Sequence, residues 1–291
     1  IVQTAGCKMK TTYPPDDFFV FMQLEVAKAI DRNDIAAIER LASQGADLKT
    51  PGRREMDLLF YAAGFGDGQP KLEAVKTLVS LGVDPGVYKV EGTSVLGVAL
   101  HSRLPAQETD LLQALLDGGL SPHRKNEDGT PLLVLAVKHA TFPHVKLLVE
   151  YGADINSVDS IGVTAFDASL SMEPEIGLYL LNLGANFNTA AVNGGTPAWS
   201  IYSDLQHMSP EPSPFRKKME NLRDMLIARG AKWPPDPPAV VREQMKAKGM
   251  KVVGLLGKDG GKLKSMVDGP LIIPCAITDR IQEVHIKIIH I

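Results

Sequence analysis

Apolar residues run along this chain in short stripes at helical spacing, cut at regular intervals by glycine. Leu132, Leu133, Leu135 and Ala136 make one stripe, and Val145, Leu147, Leu148 and Val149 make the next. The pattern predicts two short helices followed by a polar connection. Thr130 is placed to cap the first helix, with Pro131 at its first position, where a missing N–H costs nothing. Pro143 permits a tight entry to the second. Gly152 is expected to end that helix in a left-handed conformation, which a β-carbon would penalise. The residues from there to Gly162 are predicted to project as a hairpin or loop.

The same unit recurs. QGADLKT, LGVDPGV, GGLSPHR, YGADINS, LGANFNT and RGAKWPP place glycines at Gly45, Gly82, Gly119, Gly152, Gly184 and Gly230, separated by 37, 37, 33, 32 and 46 residues. A second phrase precedes several of them: GTSVL at Gly92, GTPLLVLA at Gly129, GVTAFDA at Gly162 and GGTPAWS at Gly194. Together they resemble the ankyrin repeat, with its Gly-x-Thr-Pro-Leu opening and Gly-Ala-Asp close. The resemblance implies a mainly α fold, a solenoid of about six degenerate repeats over residues 19–236. Two helices cannot bury a core alone, so the stack is the folding unit. FGDGQPK, RLPAQETD and SDLQHMSPEPSPFRKK lengthen three connections. The histidine usual after Thr-Pro-Leu is replaced by Leu133 and Trp199.

A fold of this kind offers a concave face and a row of loop tips to a partner protein. The candidate contacts are Tyr88, Lys89, Arg124, Lys125, Glu127, Asp128 and Asp159 at the tips, with Trp199 and Tyr202 on a helix. Aromatic and arginine side chains are the usual anchors of protein interfaces. The bland alternative packs Trp199 between repeats and leaves the charges solvated.

Composition narrows the classes. Hydrophobic residues make up 44% and charged residues 22%, as a packed globular chain requires. A net charge of −3 without a long single-sign run leaves no nucleic-acid footprint. No apolar run approaches the ~20 residues that span a bilayer. His101, His123, His139, His144 and His207 are scattered without metal spacing, and no G-x-S-x-G or phosphate-binding glycine loop occurs. The repeat body is therefore expected to bind without catalysis and without a cofactor. Cys7 and Cys275 form no CxxC.

Cys7 follows Thr-Ala-Gly, which resembles the end of a bacterial lipoprotein signal, although Thr4 stands where Leu is usual. That reading implies a lipidated Cys7 and a periplasmic or cell-envelope location, with the lipid as the only membrane contact. The alternative is a plain lead-in over residues 1–18 and a cytoplasmic protein. With T-A-G-Cys7 and the PPDPP segment, the body resembles small ankyrin lipoproteins of the bacterial envelope. Some of these are immunity proteins that neutralise a toxin such as a type VI phospholipase effector.

After WPPDPP the pattern changes. AVVREQMKAKG reads as a helix closing at Gly249, MKVVGLLG as a buried strand, PLIIPCA as a second strand and TDRIQEVHIKIIHI as a last helix. This short α/β segment over 237–291 does not extend an ankyrin stack. From about residue 245 to 291 it is similar to the carboxyl end of sedoheptulose-7-phosphate isomerase, of the sugar-isomerase (SIS) family. The resemblance implies active-site roles for Asp279, Gln282 and His290, with His290 as the acid/base or metal-facing residue and Gln282 as a substrate or zinc contact if the enzyme reading holds. The family's phosphate-binding loop and its other catalytic groups have no counterpart upstream. The segment alone is therefore expected to be inactive. A sugar-phosphate isomerase completed by partner chains is the alternative function.

Overall fold

The computed structural model describes residues 13–65, 68–87, 92–101 and 109–253. Cys7, Tyr88, Lys89, Asp279, Gln282 and His290 lie outside them, as do the second strand and last helix expected from the sequence. The buried strand expected over MKVVGLLG is described only for residues 250–253, which form no strand and leave Met250 49% and Val253 51% exposed. The described residues are mainly α-helical and divide into two compact units, one ending at Ser121 and one beginning at Pro122.

The first unit holds three helix pairs: α1 (Phe21–Asp31) with α2 (Ile35–Ser43), α3 (Leu58–Phe60) with α4 (Leu72–Ser80), and α5 (Val95–His101) with α6 (Asp110–Asp117). The short α3 runs on into a π-helical turn over Tyr61–Phe65. Helices α2, α4 and α6 pack in sequence against one another. Leu58, Leu78, Leu112 and Leu115 are fully or almost fully buried in this unit. Burying each such side chain contributes about 1.5–3 kcal/mol.

The second unit repeats the plan. It pairs α7 (Leu132–His139) with α8 (Phe142–Glu150), α9 (Ala165–Met172) with α10 (Pro174–Asn182), and α11 (Pro197–His207) with α12 (Pro214–Ala228). The first helices of each pair form a row, α7 on α9 and α9 on α11, while α10 packs on α12. A further helix, α13 (Pro238–Ala247), starts on the last proline of the WPPDPP segment. The long spacing before Gly230 is taken up by an 11-residue α11, a turn from Met208 to Ser213 and a 15-residue α12. Arg216 closes that turn, donating to the carbonyls of Ser209 (3.2 Å) and Leu205 (3.4 Å) while its Nε pairs with Glu220 (2.9 Å).

All six repeat glycines end a helix in one way. Their φ values lie between +83° and +106°, and each glycine amide donates to a carbonyl three residues back. The next residue donates to the carbonyl five back: Ala46 to Leu41, Val83 to Leu78, Leu120 to Leu115, Ala153 to Leu148, Ala185 to Leu180 and Ala231 to Leu226. This is the Schellman turn, which satisfies helix-end carbonyls and brings an apolar residue after the glycine onto one at the start of the last turn. Every acceptor is a leucine, and five of the six are completely buried.

The helix starts divide. Thr164 caps α9 in a capping box with Asp167, and Thr196 caps α11 by accepting from the Trp199 amide. Thr130 does not cap α7, contrary to expectation, and Pro131 precedes the helix rather than opening it. Pro131 is extended (φ −62°, ψ 146°) because it still belongs to the hairpin, bridged to Lys125, while the Leu132 amide donates to the Arg124 carbonyl.

Candidate functional site

Two of the hairpin tips in the second unit are built by one asparagine and one aspartate. Asn126 Oδ1 accepts from the amides of Asp128 (3.1 Å) and Thr130 (2.8 Å). Asp159 Oδ1 accepts from Ile161 (3.0 Å) and Val163 (2.9 Å) in the same pattern. Such side-chain bonds stand in for backbone turn bonds. Single antiparallel bridges, Lys125 with Pro131 and Val158 with Thr164, close the two hairpins.

This geometry sorts the tip residues. Lys125, Glu127 and Asp128 are exposed, and Arg124 is half-buried. Lys125 also reaches the next hairpin, donating to the Val158 carbonyl at 3.3 Å. Asp159, expected to face a partner, is only 8% exposed. One carboxylate oxygen is committed to its own hairpin and the other lies 3.5 Å from Lys138 Nζ. Its geometry is that of a turn former.

Trp199 and Tyr202 are half-exposed on α11, with ring centroids 5.6 Å apart. A third ring, Trp233, meets Tyr202 edge-on at 5.7 Å. The spacing of Trp199 and Tyr202 along one helix was visible in the sequence. The arrival of Trp233 was not, because it follows the Schellman turn at Gly230 and its direction depends on that turn. Asp204 lies in the same helix; burial raises its pKa, and the charge of His207 acts in the opposite sense.

Two other polar groups, Asp57 and His144, are buried, and a third, Asp167, is half-buried. Asp57 (3% exposed) caps α3 by accepting from the Phe60 amide at 2.7 Å. Its pKa is raised by burial, against the pull of the Phe60 and Leu59 amides. Asp167 Oδ2 accepts from the Thr164 amide and from the hydroxyls of Thr164 (2.7 Å) and Thr189 (3.2 Å). Burial raises its pKa as well. His144 is completely buried, its Nδ1 2.9 Å from the Thr141 hydroxyl. Each of these groups serves a helix start. Among the described residues, no cluster of three or more His, Cys, Asp or Glu could hold a metal ion. Nor is any described helix long and apolar enough to cross a membrane.

Helix pairs closed by Schellman turns and joined by short hairpins define an ankyrin-repeat fold, and ankyrin repeats mark a protein–protein interaction module. Residues 100–191 match the family model for ankyrin repeats in three copies. The ankyrin-repeat domain of Bcl-3 has the same fold at 24% identity, with a TM-score of 0.51 over 75% of this chain and 92% of that one. An ankyrin-repeat domain from Acinetobacter baumannii aligns at 20% identity and a TM-score of 0.50, over 72% of this chain and all (100%) of the other.

A C-terminal region is similar to another kind of protein. The phosphoheptose isomerase of Fusobacterium nucleatum is 51% identical over 70 residues, which cover 23% of this chain and 35% of the enzyme. That of Cytophaga hutchinsonii is 40% identical over 104 residues, 32% of this chain and 54% of the enzyme. The chain thus spans roughly a third to a half of the length of these two relatives.

Proposed function

We propose that the chain recognises a partner protein through the hairpin tips and the row of first helices, and that it neutralises a secreted bacterial toxin of phospholipase type. The observation that carries the binding reading is the run of half-exposed rings Trp199, Tyr202 and Trp233 on the last repeat. Large rigid side chains with few rotamers to freeze give the most binding energy for the least ordering. The toxin reading rests on the resemblance to envelope ankyrin proteins and on Thr-Ala-Gly before Cys7. It places the chain at the cell envelope if Cys7 is lipidated.

The test is a tight one-to-one complex with such an effector. The complex should abolish the effector's lipase activity and be weakened by Trp199→Ala with Tyr202→Ala. An effector panel that is neither bound nor inhibited would remove the toxin reading and leave the binding module. The second reading, a sugar-phosphate isomerase chain, is favoured by the identity to phosphoheptose isomerases. There Asp279, Gln282 and His290 would contribute to an active site completed by partner chains.

A further inference from the structure

The hairpins of the last two repeats follow a rule, and α13 with the residues after it obeys that rule again. Gly162 closes one hairpin, and a β-carbon there would lie 3.3 Å from Ala190 O and from the Ala191 Cα of the hairpin that follows. The Val192 amide of that following hairpin donates to the Ile161 carbonyl at 2.9 Å. Gly194 closes this next hairpin, and no seventh repeat phrase comes after it. A β-carbon on Gly194 would nevertheless sit 2.3 Å from Pro238 O and 2.8 Å from Arg242 Cγ. The Val253 amide donates to the Val192 carbonyl at 2.9 Å. Ile161, Val192 and Val253 thus form successive rungs, each linked to the one before by a single backbone bond.

The helix is shaped for this position. Pro238, Val241, Arg242 and Met245 fall at i, i+3, i+4 and i+7, one face of an α-helix. Val241 (9% exposed) and Met245 (5%) are buried, Pro238 and Arg242 meet the Gly194 turn, and Val240 on another face is 42% exposed. Arg242 Nη1 also donates to the Asn193 carbonyl at 2.8 Å. The helix closes as the six repeats do: Gly249 has φ +71°, and the Met250 amide donates to the Met245 carbonyl at 3.0 Å.

We infer that Pro238–Val253 is a terminal cap on the repeat array, standing where a seventh hairpin would stand. Its last residues come from the stretch that resembles the isomerase. A hairpin carbonyl such as that of Val192 is a place where an extended segment can add through a backbone bond. In this chain the acceptor is filled in cis by Lys251–Val253. A segment that reads as the opening strand of an enzyme fragment is here the last rung of a binding array, fastened by helix, turn and backbone together.

Peptide-resolved hydrogen exchange on the full chain tests this. The amides around 191–195 and 250–253 should both be protected. Arg242→Ala should speed exchange in both peptides by roughly tenfold or more, since local opening is set by the contacts removed. Gly194→Ala and Gly129→Ala both place alanine at positive φ (+82° and +77°), but a β-carbon on Gly129 meets nothing within 4 Å. Only Gly194→Ala should therefore release 250–253. The inference is overturned if 250–253 exchanges at the rate of a free peptide in the parent chain. It is equally overturned if Arg242→Ala and Gly194→Ala leave its protection at the parent level.

Discussion

The carboxylate of Asp159 lies 2.9 Å from the amide of Val163, so a residue placed on the surface by its sequence is part of the hairpin's frame. Asn126 makes the same pair of bonds one repeat earlier with a neutral amide. The two turn bonds therefore need an acceptor but not a charge, and the charge serves only the pair with Lys138 at 3.5 Å. Asp159→Ala should cost about 1–3 kcal/mol by leaving two turn amides without their partner. Asp159→Asn should cost less than half of that in the same urea denaturation series. Equal losses from both variants would contradict this.

The Schellman turns allow a second comparison. A β-carbon on Gly152 would meet nothing within 4 Å, so only its φ of +83° opposes substitution. Gly152→Ala should destabilise by about 1–2 kcal/mol, the penalty for a left-handed L-residue. Leu148→Ala, which empties a site of zero exposure under the same turn, should cost about 2–5 kcal/mol. The order of the two melting temperatures checks the argument.

Acidity should reveal Asp57. Its folded pKa is raised above the ordinary 3.8 by burial, so the folded state holds the proton more tightly. Its contribution to stability is complete below 3.8 and is lost as pH rises through the folded value. Asp57→Asn keeps an acceptor for the Phe60 amide without the buried charge. It should be more stable than the parent at pH 7, with an advantage that shrinks as the solution is acidified towards pH 4. Asp57→Ala should instead lose about 1 kcal/mol with the helix cap. An asparagine advantage that grows on acidification would contradict the assignment.

The purified chain should not isomerise sedoheptulose 7-phosphate. The similarity covers 35% and 54% of two of the enzymes concerned, and the sequence offers no phosphate-binding loop upstream of it. Turnover that disappears in His290→Ala would overturn this expectation.

The repeat plan was legible because its signal is local. Leu-x-x-x-Gly followed by Ala, Val or Leu spells a Schellman turn within six residues, and all six instances form it. The hairpin aspartate was misplaced although a local sign was present. Asn126 and Asp159 each stand three residues before a positive-φ glycine, the spacing at which a side chain can close the turn. The helix α13, closing at Gly249, was legible as well, but where it and Trp233 pack was not. Proline-rich WPPDPP reads as a boundary, and nothing in its residues says that the chain beyond it turns back onto Gly194. That return depends on a helix face meeting a glycine some 44 residues earlier in the chain.

Intact mass together with co-purification from native cells bears most directly on the claim that this is a binding module. One polypeptide carrying both the repeat body and the C-terminal region should retain a partner protein in fixed stoichiometry. Trp199→Ala with Tyr202→Ala should weaken that partner at least tenfold, about 1.4 kcal/mol, with unchanged helical content. A chain that purifies without any stoichiometric protein partner and turns over a sugar phosphate would contradict it.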